Sequence, residues 1–150
     1  MASPEDILAL RRLADDYGSA VDERNGEAFA GVFTLDGELA IYEPGDTEPV
    51  IVYAGFDELV SVIELVKAFA TTFHLMANHQ VDIDGDTATG LVYGISLHLT
   101  ETAGRGFDTI MIMKYRDRYQ RTPGGWRIAR RDVLRQWTEY NVGERAKLIS

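Results

Sequence analysis

Val81-Asp-Ile-Asp-Gly-Asp-Thr-Ala88 is the stretch that decides the fold. Val81 and Ile83 alternate with Asp82 and Asp84, the period of a half-buried strand, and Asp84-Gly85 then offers the positive backbone angles of a type I′ turn. The stretch therefore predicts an antiparallel hairpin. Outward from it, period two holds over residues 73–83 and 87–100, then over 107–120 and 126–140, with Pro123-Gly-Gly125 joining the last two. Gly104-Arg-Gly106 reads as another turn. Closing the hairpin with Ile83 opposite Asp86 sets His74 opposite Ile95. That leaves His98 on the other face unless a bulge shifts the register.

Upstream of Thr71 the period becomes helical. Ser3 as N-cap, Pro4 at the first helical position and Asp6 three residues after the cap open a helix over residues 4–24. Ile7, Leu10, Ala14, Tyr17 and Val21 give it one apolar stripe, and Asn25-Gly26 reads as its stop. A short helix over 27–33 turns Phe29, Val32 and Phe33 inward. Residues 39–42 read as a brief strand and 44–49 as a polar loop. Leu59, Ile63, Val66 and Ala70 mark a further helix over 56–69. Helices first and a long sheet after them predict an α+β fold, with the helices on one face of a curved, mostly antiparallel sheet of four to six strands. The length of 150 residues and an apolar share of 45% fit one domain over 1–150.

Composition narrows the function. A formal charge of −9 argues against nucleic acid or an anionic membrane as the main partner, because both are bound through clustered Lys and Arg. The chain has no cysteine, hence no disulfide and no thiol nucleophile, and its three histidines lack the spacing of a zinc site, so no metal is expected. There is no phosphate-binding loop. No run of about 18 apolar residues and no basic-then-apolar leader occurs, and the expectation is a cytoplasmic protein.

One pair of residues carries chemistry. Asp22 ends the first amphipathic helix and His74 opens the strand Phe73-His-Leu-Met-Ala-Asn-His-Gln-Val-Asp-Ile83. An imidazole oriented by a carboxylate is a general base that works near neutral pH. A negative charge near a helix C-terminus is itself unfavourable by roughly 0.3–1 kcal/mol, so something should compensate Asp22.

The segment Tyr17-Gly-Ser-Ala-Val-Asp22 followed by Phe33-Thr-Leu-Asp36, the strand Phe73-His-Leu-Met-Ala-Asn78, the Asp-Gly-Asp hairpin and Gly125-Trp-Arg-Ile128 together resemble the SnoaL-like branch of the nuclear-transport-factor-two-like superfamily. The resemblance implies a cone-shaped α+β barrel whose sheet wraps helices around a deep apolar pocket, in a homodimer or homotrimer. Within the branch the chain is most similar to scytalone dehydratase, the bile-acid 7-alpha-dehydratases and hexachlorocyclohexane dehydrochlorinase. It thus implies an Asp–His pair that removes a proton and expels a neighbouring group from a small hydrophobic molecule, without metal or organic cofactor. On that likeness Asp22 takes the place of the helix aspartate, His74 that of the base, His98 that of a second pocket histidine and Tyr17 that of a pocket tyrosine. Where scytalone dehydratase has a tyrosine before the aspartate this chain has Val21, and a Ser and Asn pair gives way to Met113 and Tyr115, so scytalone is not the expected substrate.

Each candidate also has a plainer reading. Tyr17 lies on the apolar stripe, where a core tyrosine with a satisfied hydroxyl competes with a general acid. Asn78 alternates onto the His74 face, to bind substrate or to join a polar network, and His79 alternates away from it. Phe33, Tyr42, Met111, Met113 and Trp137 are candidates for the pocket wall, although such residues also build plain cores. The Arg-rich run from Arg116 to Arg135 reads as a solvated strand face. Isomerases and non-catalytic binding domains share the fold, so the site must decide.

Overall fold

Ser3 opens α1 (Pro4–Asp22) as its sequence predicts, its hydroxyl accepting from the Asp6 N–H at 3.1 Å. The computed structural model describes residues 3–102 and 105–143. The helix buries Leu10, Leu13, Ala14, Tyr17 and Val21, while Ile7, expected in the stripe, stays exposed. Its stop differs from the expected Asn25-Gly26. Arg24 takes the left-handed conformation at φ +59°, and Asn25 caps α2 (Gly26–Gly31) by accepting from the Ala28 N–H.

The brief strand foreseen at 39–42 is the end of a longer one, β1 (Phe33–Tyr42), and β2 (Ile51–Ala54), which no pattern announced, pairs antiparallel with it. Then α3 (Phe56–Val66) buries Leu59, Ile63 and Val66 and ends before Phe69. Four long strands follow: β3 (Thr71–Asp84), β4 (Thr87–Thr102), β5 (Arg105–Thr122) and β6 (Gly125–Gly143). Of the turn expected at 104–106, Gly104 lies outside the described residues, and Arg105 and Gly106 already belong to β5. The six strands form one curved, unclosed sheet in the order β2-β1-β6-β5-β4-β3, antiparallel except where β1 meets β6. The fold is α+β, and among the described residues no helix is long and apolar enough to cross a membrane.

The hairpin that decided the fold is present, with a different turn. Asp84 pairs with Thr87 and only Gly85 of the two turn residues has positive φ, so glycine comes first, as in type II′ rather than I′. The register then runs evenly to His79 opposite Val92, where Ala77 and Asn78 together face Tyr93 and the pairing resumes one residue out of step at Met76 and Gly94. This bulge brings His74 opposite Ser96 and Thr72 opposite His98. His74, Ser96 and His98 therefore share a face, the inner one against α1, and His79 returns to it as well. Arg11 of α1 donates to the Met76 and Ala77 carbonyls and pairs with Asp15 at 2.8 Å, which ties the bulge to the helix.

On the inner face a Cβ at Gly94 would stand 2.5 Å from the Tyr115 ring, so the absence of a side chain there makes room for that ring. The outer face of β3 to β6 carries Phe73, Leu75, Ile95, Ile112 and Trp137, all exposed.

Candidate active site

The end of α1 meets the start of β3 where Gly18 lets the two approach, a Cβ there standing 3.2 Å from Met76 Cγ and 3.4 Å from His74 Cβ. Asp22 and His74 face each other at this junction, the imidazole 9% exposed and the carboxylate 23%. One carboxylate oxygen, Oδ2, accepts from the His74 backbone N–H at 2.8 Å. The other, Oδ1, lies 2.7 Å from His74 Nδ1 and accepts from the Thr72 hydroxyl at 2.9 Å. A carboxylate only accepts, so the ring hydrogen is assigned to Nδ1 and Nε2 is left bare. The compensation required at the helix end comes from Arg24, whose guanidinium donates to the Val21 and Asp22 carbonyls at 2.9 and 3.2 Å.

His98 completes the neighbourhood. Its ring centroid is 5.4 Å from that of His74 and 4.6 Å from Phe69, which meets it edge-on. Burial first, then the nearby His74 and Arg24, pull its pKa down to about 4, so it is neutral at physiological pH. Among the described residues His98 Nε2 and the hydroxyl of the fully buried Ser96 have no hydrogen-bond partner. Buried polar atoms are seldom left so, and one in the row that holds His74 with another in the row beside it marks the site as polar and unsatisfied.

Tyr17 belongs elsewhere on the inner face. The Arg131 guanidinium stacks over its ring at 4.2 Å and over Tyr115 at 4.7 Å, and donates to Asp117 through Nε and Nη2 at 2.8 and 2.7 Å. Tyr119 donates to the same carboxylate at 2.6 Å, and His79 Nε2 lies 3.1 Å from its hydroxyl. Burial, ahead of every other influence, lifts the Tyr17 hydroxyl to about 12. The Arg-rich run is thus not uniformly solvated: Arg116, Arg118 and Arg130 point outward, while Arg131 and Asp117 are entirely buried. The signal was there in the alternation Met113, Tyr115, Asp117, Tyr119, which puts one acid in phase with three inward residues.

The remaining candidates divide. Met113 is buried and Met111 half-buried on the inner face, Met111 in the row His74–Ser96–Met111. Phe33 packs in the core against Phe29 and Tyr17. Asn78 sits exposed in the bulge, out of the alternation that assigned it to the His74 face. Tyr42 lies on the outer face, 3.2 Å from Arg130 Nη2, at the edge of a cleft of about 760 Å³ that also takes in Arg116, Arg118 and Asp132. Trp137 is likewise outward, in register with Ile112 and 62% exposed. Sequence reasoning missed Arg24, Thr72 and Ser96. Among the described residues no three His, Asp or Glu side chains are placed to share a metal ion.

A curved α+β sheet with helices on its concave side is the fold of the nuclear-transport-factor-two-like proteins. More particularly, residues 2–132 match the SnoaL-like domain, and the chain belongs to that family. Over 132 residues it is 31% identical to an uncharacterized protein of Mycobacterium tuberculosis (strain ATCC 25618 / H37Rv), covering 87% of this chain and 86% of that one. Among solved structures it resembles a proposed aromatic ring hydroxylase of Novosphingobium aromaticivorans, with TM-score 0.81, 24% identity and coverage of 94% and 96%. A proposed scytalone dehydratase of the same organism gives TM-score 0.75 and 24% identity over 89% and 85% of the two chains. A type 2 hexachlorocyclohexane dehydrochlorinase gives 0.77 and 20% over 97% and 98%. At these identities the structural likenesses speak for the fold alone.

Proposed function

We propose that this chain is a cofactor-independent lyase that eliminates water from a hydrophobic, hydroxylated ring substrate, such as a polyketide or steroid, with Asp22 and His74 as its catalytic pair. The observation that carries this reading is the 2.7 Å contact of Asp22 with His74 Nδ1, which directs a bare Nε2 toward the inner face beside a neutral His98. Nε2 takes a proton from a carbon acidified by a neighbouring carbonyl. The C–H electron pair becomes the new C=C bond, the C–O bond breaks, and the hydroxyl departs as water with a proton returned to it. Asp22 stabilises the imidazolium through charge and orientation, not through a second proton transfer. His98, a neutral imidazole with an unpartnered nitrogen, offers one N–H to the enolate oxygen or the departing hydroxyl. Because a neutral imidazole is a good hydrogen-bond donor and a poor acid, the same site also supports the second reading, an isomerase in which His74 returns the proton elsewhere on the ring.

The likeness of the fold to a proposed scytalone dehydratase and to a dehydrochlorinase supports elimination as the reaction type. The exposed apolar outer face supports a homodimer or homotrimer as the working form. Screening hydroxylated polyketides, steroids and ring ketones for loss of water is the test. On a substrate found this way His74→Ala should abolish turnover and Asp22→Asn should lower kcat by about 10²- to 10⁴-fold. Wild-type rates in both variants would leave the pair structural and overturn this reading, whereas a screen without any turnover would favour a binding domain.

A further inference from the structure

Thr72 has one hydroxyl hydrogen, and its surroundings decide where that hydrogen goes. The side chain is buried beside the catalytic pair, and Arg24 Nη1 donates to its oxygen at 2.6 Å. With the acceptor side of the hydroxyl taken by a cation that cannot accept, the hydrogen can only point at the other neighbour, Asp22 Oδ1, 2.9 Å away. Arg24 is in turn fixed at several points. Its backbone is the only non-glycine among the described residues at positive φ, and its guanidinium also donates to the Val21 and Asp22 carbonyls and, through Nη2, to Phe69 O at 3.4 Å. It thereby joins the end of α1 to the segment that leads into β3.

We propose that Arg24 and Thr72 are positioning residues for the Asp22–His74 pair: a directional relay, Arg24 to Thr72 to Asp22, that holds the carboxylate with both oxygens on His74 and so selects the imidazole tautomer with Nε2 bare. The relay deepens the catalytic reading and rests on it only for its effect on rate. Its effect on the tautomer is a property of the free protein. Among the described residues the Asp22 carboxylate receives three hydrogen bonds, two of them from His74 itself, and Thr72 supplies the one from outside. Without it the carboxylate can rotate, and the Nδ1 contact loses its aim.

Three variants separate this role from a plain helix cap. Thr72→Ser keeps the hydroxyl, and Thr72→Val keeps the shape without it. Arg24→Gly removes the guanidinium while suiting the left-handed backbone, because glycine takes positive φ without strain. The ring nitrogens of His74 are read by ¹⁵N NMR at a pH where the ring is neutral. Wild type and Thr72→Ser should show the Nδ1–H tautomer in excess by about tenfold or more, the ratio expected of a charge-assisted hydrogen bond, with a Nδ1 proton slow to exchange. In Thr72→Val and Arg24→Gly that excess should shrink and the proton should exchange faster. On a substrate that the wild type turns over, kcat should fall by about 10- to 100-fold in these two, with KM little changed, and by less than about threefold in Thr72→Ser. A folded Thr72→Val or Arg24→Gly protein that keeps the wild-type tautomer ratio and exchange rate overturns the relay. If the tautomer shifts while the rate does not, the relay stands and the catalytic reading falls.

Discussion

Two of the carboxylates between α1 and the sheet, Asp117 and Asp22, each have a cationic or basic partner and are finished differently. Asp117 is entirely buried: Arg131 donates to both its oxygens, Tyr119 adds a third bond, and Tyr17 and Tyr115 cover the guanidinium. Asp22 is also saturated, but its partner is not. His74 spends Nδ1 on the carboxylate and, among the described residues, keeps Nε2 free, within a neighbourhood where His98 Nε2 and Ser96 Oγ have no partner either. The first cluster satisfies its carboxylate completely and leaves over only Arg131 Nη1, which among the described residues has no partner and, on a guanidinium that keeps its protons, is no base. The other keeps a directed, unsatisfied nitrogen. On the proposed function, the first serves stability and the second chemistry.

Exchanging the mutations between clusters breaks the comparison most sharply. Asp22→Asn should cost about 10²- to 10⁴-fold in kcat on an identified substrate and leave the melting temperature within a few degrees of wild type. Asp117→Ala should strand a buried guanidinium and destabilise the chain by about 3–5 kcal/mol. At roughly 2–4 °C per kcal/mol for a chain of this size, calorimetry should show a fall of about 10 °C. Similar losses of stability from both substitutions would erase the distinction.

A smaller effect tests how the bulge builds the site. Arg11→Ala removes the donors to the Met76 and Ala77 carbonyls and should loosen the pairing of His74 with Ser96, seen as faster amide exchange over residues 74–78 with the hairpin turn unaffected. Uniform exchange changes along the whole of β3 would contradict that local role.

Smaller still is the response of stability to acid. His98 and His79 both have pKa values lowered by burial, His98 to about 4 against an ordinary 6.5. The unfolded chain therefore binds protons first as the pH drops, and stability is full above about 6.5 and is lost as pH falls toward 4. His98→Leu should remove its share, on the order of 1 kcal/mol after allowance for its partial exposure, and narrow the difference in melting temperature between pH 7 and pH 5. His79 accounts for a remainder, so the difference should shrink without vanishing.

The sequence made the helices, the hairpin and the long strands legible, since each rests on local periodicity or a local cap: Ser3, the stripe from Leu10 to Val21, the alternation around Asp84-Gly85. It also offered Asp22 and His74, because their residue types and the resemblance agreed. What it hid depends on pairing. The two-for-one match at Ala77 and Asn78 has no local signature, and that match alone moves His98 and His79 to the His74 face and carries Asn78 out of the alternation. Arg24 was hidden because a left-handed arginine is a rare helix stop, and Thr72 because a hydroxyl's role is set by what lies across from it. Trp137, a candidate for the pocket wall, faces outward because the register of β6 with β5 shifts between Ile112 and Met113, which nothing local in the sequence marks.

The central claim is that His74 Nε2 removes a proton from carbon. Its most direct test is deuterium incorporation: a ring ketone bound by the protein is incubated in D₂O, and the label at the carbon next to the carbonyl is followed by NMR for the wild type and for His74→Ala. The wild type should exchange that position, or release a product formed through its loss, while the His74→Ala protein, still folded and still binding the ketone, should do neither above the uncatalysed rate. Exchange at the wild-type rate in His74→Ala would contradict the account.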